Sequence, residues 1–340
     1  MHYRQKLDSS DCGAACLAMV ASYFGQTLNI AEIRKYLIFF LLFFITLFKM
    51  YSNIVIPFFY TYDGHIYVEV QDLNSKYYFL FDTASDRNVF YKKGFEKRNG
   101  KDNVIVNALF EYVKSLNPDV SDEKIMEYTE NYIHSNPVNF TLNDFSVGEY
   151  DLPPCVIEYD YKARINLDDN IFDGVINPTF FGCKKNITLD YLNSQIIVDG
   201  DLLDTEAIPM KKMNVTDIYY IDIKINRIKQ PAIIDTGSMF LILRPDYKSS
   251  KYYDEDKILN MSEEQIDSMF FLDDKAKKVN IIISNFSENL TGHFFTLDKY
   301  KIRMGKESKS VLAMYNDLGY EVFKNHIIQM DFENMEFRIK

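Results

Sequence analysis

Tryptophan is absent from this chain, and in 340 residues cysteine occurs 4 times, glycine 13 and proline 9. So few cysteines exclude a disulfide-stapled scaffold, and Cys12, Cys16, Cys155 and Cys183 lack zinc-finger spacing. Cys155 and Cys183 can pair in an oxidising compartment, which their positions alone leave open. No glycine-rich phosphate loop is present, and the five histidines lack metal-ligand spacing, so neither cofactor nor metal is expected. Basic residues are in deficit: 38 Lys and Arg against 49 Asp and Glu give a formal charge of −11. That balance, without any basic stripe, excludes a general nucleic-acid binder, whose affinity draws on cations set against phosphate.

What is abundant is apolar and aromatic. Apolar residues make up 47% of the chain, enough for two cores and too many for disorder. The 25 Tyr and 27 Phe favour strands, so a mostly β protein is expected. One run stands apart: Tyr36 to Phe48 (YLIFFLLFFITLF) has no charge and no period, and follows Arg34 and Lys35. Its length fits the apolar core of a secretory signal; read on to Ile56 it can anchor in a membrane, with Lys49 reaching the interface. A buried core helix is the plainer alternative. With Arg34 and Lys35 retained in the cytoplasm, everything after the run is exported, to the periplasm, the extracellular space or the outer side of a membrane.

Beyond residue 53 short strand-like runs dominate, among them Ile66 to Val70, Tyr78 to Phe81, Tyr220 to Ile225 and Ala232 to Ile234. Two helical patches interrupt them. Ser121 to Ile133 carries Ile125, Tyr128, Tyr132 and Ile133 on one stripe, expected to pack in a core, and Ser262 to Gln265 makes a capping box.

The chain also repeats itself. Tyr67 to Val70 and Phe81 to Ser85 (FDTAS) align without a gap to Tyr220 to Ile223 and Ile234 to Ser238 (IDTGS), with Asp82 and Asp235 153 residues apart. A second pair of segments, Asp173 to Phe181 and Tyr315 to Phe323, recurs near the end of each half. Each is followed by a strand and an acidic turn, Ile187 to Asn193 and Ile328 to Asn334. Repeats of this length are duplicated domains, since solenoid periods run roughly 20 to 50 residues.

An Asp carried to a loop tip by an apolar strand, supplied twice by duplication, brings two carboxylates together at the interface of the halves. Like charges a few ångströms apart cannot both ionise, so one proton is shared: one Asp acts as base toward water, and its protonated partner polarises a carbonyl. Thr83 and Thr236 can hydrogen-bond across the interface, and Ser85 and Ser238 can donate to the outer oxygen of their own Asp. One chain supplies both carboxylates, so a monomer suffices.

These residues resemble the pepsin-like and retropepsin-like aspartic proteases over roughly residues 54 to 340. The resemblance implies a bilobal fold of two β-barrel-like lobes with a few helices, Asp82 and Asp235 as the catalytic pair, Thr83 and Thr236 as an interlocking grip, and Ser85 and Ser238 as supporting donors. It also implies that Asp173 to Phe181 and Asp317 to Phe323 thread beneath the catalytic loops in a psi-shaped structure, and that the substrate is a polypeptide. Ala84 replaces the family's usual glycine, and Asn177 stands where Gly319 stands in the other half, with left-handed backbone expected there. No flap tyrosine is identifiable: the Ser121 to Ile133 helix occupies the stretch where the flap hairpin is expected.

A second resemblance covers only residues 2 to 35. Gln5 to Met19, followed by Tyr23 to Gly25, is similar to the start of the papain-like peptidase domain of bacteriocin-exporting ABC transporters, which removes double-glycine leaders. It implies Cys12 as nucleophile at a helix N-terminus and Gln5 as oxyanion support. No partner histidine follows before the apolar run, so a silent remnant is expected. The expected organisation is therefore this fragment at 1–35, a signal or anchor at 36–56, and protease-like lobes at 57–205 and 206–340. The expected function is an aspartic endopeptidase. A noncatalytic binding module of the same fold and a cysteine peptidase acting through Cys12 are the alternatives.

Overall fold

The computed structural model describes residues 54–340 except 63, 74, 100–103, 161–171, 215, 252, 270–275 and 295–305. The readings for Gln5, Cys12 and the run from residue 36 to 53 lie outside the described residues. Within the rest, alternation of apolar and polar side chains makes strands of Ile66–Gln71 and Tyr219–Ile225: Ile66, Val68 and Val70 are buried on the first, Ile221, Ile223 and Ile225 on the second. Each pairs antiparallel with the strand that follows it, Lys76–Phe81 and Ile228–Ile234. These second strands end in unbroken buried runs, Phe79 to Phe81 and Ala232 to Ile234, because both their faces are covered.

The two halves then repeat one unusual connection. Gly174–Ile176 lies parallel to Lys76–Phe81 and antiparallel to Val89–Phe90; Asn316–Leu318 lies parallel to Ile228–Ile234 and antiparallel to Leu241–Leu243. A strand wedged in this way between an incoming strand and its continuation draws the psi shape that the resemblance implies. Among the described residues the strands form one sheet of twelve and one of nine. The chain is mostly β with two related, sheet-built lobes and few helices, in keeping with a bilobal pepsin-like fold.

Asn186–Asp190 and Ile327–Asp331 pair antiparallel within the larger sheet, joining the two halves. Each ends in the same acidic turn. Asp190 Oδ1 accepts from the amides of Leu192 and Asn193, and Asp331 Oδ1 from those of Glu333 and Asn334, all at 3.0 Å. The turns close through Ser194 and Met335, both at φ 55°. Buried Gln329 ties the seam, donating to Thr188 Oγ1 at 2.8 Å and accepting from the Leu203 amide at 3.0 Å.

Four expectations need correction. Ile54, Val55 and Ile56 are not the end of an anchor: Ile54–Pro57 is a strand paired with Gln195–Val198, and Ile56 is in the core. Among the described residues no helix is long and apolar enough to cross a membrane. On the helix Asp122–Ser135 the buried line is Ile125, Thr129 and Ile133, at strict four-residue spacing, while Tyr128 and Tyr132 lie beside it, exposed. Their rings stack with centroids 6.3 Å apart, and with Leu109 and Val113 of the neighbouring helix Val104–Leu116 they line an open groove. Cys155 and Cys183 are free thiols, and Cys183 Sγ donates to the Asn186 carbonyl instead. Asn177 sits at φ −116°, ordinary extended backbone, so no left-handed residue is required there.

Because Ile56 is fully enclosed, Ile56→Ala in the full-length chain is expected to cost about 2–5 kcal/mol by cavity formation. Urea unfolding measures it, and an unchanged midpoint would return residues 54–56 to a dispensable tether.

Candidate active site

Each psi strand fixes an aspartate by its backbone. The Asp82 amide donates to the Ile176 carbonyl at 2.9 Å and the Asp235 amide to the Leu318 carbonyl at 3.2 Å, holding each residue where its strand ends. The next residue turns inward and is buried. Thr83 Oγ1 donates to the Ile234 carbonyl (2.7 Å) and accepts from the Thr236 amide (3.1 Å); Thr236 Oγ1 donates to the Phe81 carbonyl (3.0 Å) and accepts from the Thr83 amide (3.0 Å). Two loops distant in sequence are thereby locked through four reciprocal hydrogen bonds that burial shields from water.

The lock brings the two aspartates together. Their carboxyls are within hydrogen-bonding reach of each other, and both residues are half-buried. Gly237 passes so close that a Cβ there would lie 2.5 Å from Asp82 Cγ, which is why this loop has no side chain where the other has Ala84. The Ala84 methyl packs instead against the small core of Met213, Ile218 and Ile233. In the same way a Cβ on Gly319 would meet the carbonyls of Ser238 and Phe240 at 2.5 Å. Asn177, its counterpart, has room. Its Nδ2 donates to the Ser85 carbonyl at 3.0 Å and its Oδ1 accepts from the Thr179 amide at 2.9 Å, so the side chain braces the first loop.

The serines act differently from expectation. Ser85 Oγ donates to the Arg87 carbonyl (2.7 Å) and Ser238 Oγ to the Phe240 carbonyl (3.4 Å). The carboxylates are met by backbone amides, that of Ala84 at 2.7 Å from Asp82 and that of Gly237 at 2.8 Å from Asp235. The tight turn folds its own N–H groups over the acid and aims the hydroxyls along the chain.

Burial raises both carboxyls well above the ordinary carboxylate range, and neighbouring negative charge adds to the rise: Asp235 acts on Asp82, and Asp317 on Asp235. Asp317 was not among the expected site residues. It is 2% exposed on the second psi strand, within hydrogen-bonding reach of Asp235 and Ser238, and burial pushes it up to about 8. Its signal was present in the repeat: an acid at the place where the first half has Val175.

Between Val89–Phe90 and Val138–Leu142 the described chain forms the helices Lys92–Asn99, Val104–Leu116 and Asp122–Ser135, with no hairpin among the described residues. The second half has the short helices Glu255–Leu259 and Glu263–Asp267 in the corresponding stretch, and its paired strands Lys277–Ile283 and Phe286–Phe294 match Val138–Leu142 and Cys155–Tyr159 of the first.

A family model, the Peptidase C39 family, matches residues 1–38, in keeping with the extent and peptidase character of the N-terminal resemblance. No curated protein matches the chain. Among solved structures, the crystal structure of an aspartic proteinase from Irpex lacteus is similar at a TM-score of 0.44 and 10% identity, covering 85% of this chain and 97% of that one. A likeness this loose carries no argument about activity.

Two predictions follow from the lock and the acids. Thr83→Val removes one donor and one acceptor, leaving the Ile234 carbonyl and the Thr236 amide buried without them; a loss of about 2–4 kcal/mol is expected, and less than additive loss with Thr236→Val. Urea unfolding of the two single variants and the double one checks this. The acids give a pH dependence: with folded-state affinities for protons above those of the unfolded chain, the fold holds more protons than the coil, so their contribution to stability falls as pH rises from the ordinary carboxylate range toward about 8. Asp317→Asn is therefore expected to melt near wild type at about pH 4 and above it at about pH 8. Equal differences at both pH values would contradict the burial of this acid.

Proposed function

We propose that this chain is an aspartic endopeptidase. The observation that supports the reading is the pair of Asp-Thr-small-Ser loops, locked through their threonines, with the two carboxyls in mutual hydrogen-bonding reach. In this reading a water lies between Asp82 and Asp235. One carboxylate takes a proton from it as its oxygen attacks the peptide carbonyl, and the protonated partner polarises that carbonyl. The tetrahedral intermediate collapses with cleavage of the C–N bond, and the leaving amine takes up a proton. No covalent enzyme intermediate forms. Because the protons belong to the coupled set, neither aspartate has a pKa of its own, and the pH profile reports the group. The substrate is an extended polypeptide segment.

The Peptidase C39 match over residues 1–38 favours a second reading, a cysteine peptidase acting through Cys12 with Gln5 in support. A peptide library incubated with wild type, Asp82→Asn, Asp235→Asn and Cys12→Ala, with and without pepstatin, separates the two. The aspartic reading expects cleavage that pepstatin and either Asp→Asn change reduce by at least about 10³-fold, and that Cys12→Ala leaves intact. Loss with Cys12→Ala alone would move the activity to the N-terminal segment. Silence across acidic and neutral pH would leave a noncatalytic binding module.

A further inference from the structure

Asp317 occupies a place where nothing in the fold requires an acid. The strands beside it put Ile233 and Ile242 at its paired positions, and the equivalent residue of the other half is Val175. Its Oδ1 is enclosed and, among the described residues, has no hydrogen-bond partner. The molecule treats a second buried acid, Asp173, in the opposite manner: Lys97 Nζ lies 3.1 Å and Lys93 Nζ 3.9 Å from it, and the Tyr78 amide donates to it at 2.9 Å. Asp317 instead has the Asp235 carboxyl within hydrogen-bonding reach and Asp82 near enough to repel it.

Besides the acids themselves, Tyr91 bears on Asp82 and buried Tyr191 on Asp235. Beyond the end of Ile228–Ile234 stands Asp235, and beyond Lys76–Phe81 stands Asp82. Leu241–Leu243 has none. The preceding helix Lys306–Met314 carries buried Lys309 and leads into Tyr315, and the following helix Tyr320–Phe323 carries Tyr320 and Glu321, the latter 3.9 Å from His293. The charge that bears on Asp317 is that of Asp82, while the Asp235 carboxyl meets it through a hydrogen bond that favours its ionised form; Asp317 in turn repels Asp235.

We propose that Asp317 is a positioning residue that makes the pair into a proton-sharing group of three carboxyls, and so extends to higher pH the range in which Asp82 and Asp235 retain one proton between them. The physical reason is charge repulsion in a site poorly reached by water. With Asp317 neutral at low pH, the pair behaves as it would beside an amide. As pH rises, each further ionisation must place a negative charge beside those already present, so the last shared proton leaves later than it would from two carboxyls alone. The catalytic consequence rests on the peptidase reading; the sharing itself does not.

The test is a ¹³C-carboxyl titration of aspartate-labelled wild type, Asp317→Asn and Asp82→Asn, run beside the pH profile of kcat/KM on a cleaved peptide. Asn keeps the shape of Asp317 and removes its charge. The expected result is that Asp317→Asn lowers the highest of the coupled titration steps by about one pH unit or more, and the alkaline limb of kcat/KM with it, while the acid limb stays in place. Asp82→Asn, which removes the charge that raises Asp317, is expected to lower the step of Asp317. Should the asparagine variant not fold, Asp317→Val, which installs the residue of the other half, is judged by the same step. An unmoved highest step in a folded variant would overturn the proposal, as would an unmoved alkaline limb in an active one. If wild type cleaves no peptide but the step moves, the peptidase reading fails and the shared protons stand. If peptides are cleaved and nothing moves, the opposite holds.

Discussion

The site depends on a reciprocal grip. Thr83 and Thr236 each reach across to the other half, one hydroxyl serving as donor to a carbonyl and acceptor from an amide, so that neither loop can shift without breaking the bonds of both. The grip has to be dry to be strong, and both side chains are buried. Its cost is the company it enforces: two carboxyls, and a third behind them, held where like charges repel and water is scarce. The fold stabilises the loops and in doing so raises the proton affinity of everything at their tips.

Duplication explains the grip and also its imperfections. The halves share the psi strands, the amide contacts to each aspartate and the acidic turns at Asp190 and Asp331, down to the closing residues at positive φ. They differ where side chains meet. Gly237 must pass Asp82 without a side chain, whereas Ala84 finds apolar neighbours; Gly319 is crowded by two carbonyls, whereas Asn177 uses its amide to brace Ser85. The departures that look like weaknesses in a motif are thus fitted to unequal surroundings. The acid at 317 opposite Val175 is a further such difference, and it stands beside the chemistry.

Between each aspartate loop and its psi strand the described chain forms helices and then a pair of antiparallel strands, Val138–Leu142 with Cys155–Tyr159 in the first half and Lys277–Ile283 with Phe286–Phe294 in the second. The first half's helices are longer, and the stacked, exposed Tyr128 and Tyr132 lie on the last of them.

Much of this was legible in the residues. Period-two alternation marked the strands at Ile66 and Tyr220, because a half-buried strand exposes every second side chain. The repeated Asp-Thr-small-Ser marked both loops and their relation, because duplication copies spacing. The capping box at Ser262 formed as written, since its two bonds are local to four residues. What the chain alone left undecided depended on which atoms approach from elsewhere. The strand character of Ile54 to Ile56 required Gln195–Val198 to pair with it. The split of the Asp122–Ser135 stripe into buried Ile125 and exposed Tyr128 required a neighbouring helix to set the groove. The rotation of Ser85 and Ser238 away from their aspartates and the placing of Asp317 against Asp235 were decided only by packing. Local pattern determines the kind of element and the identity of the acids; the distance between charges is a property of contacts across 153 residues, and only the closed fold supplies it.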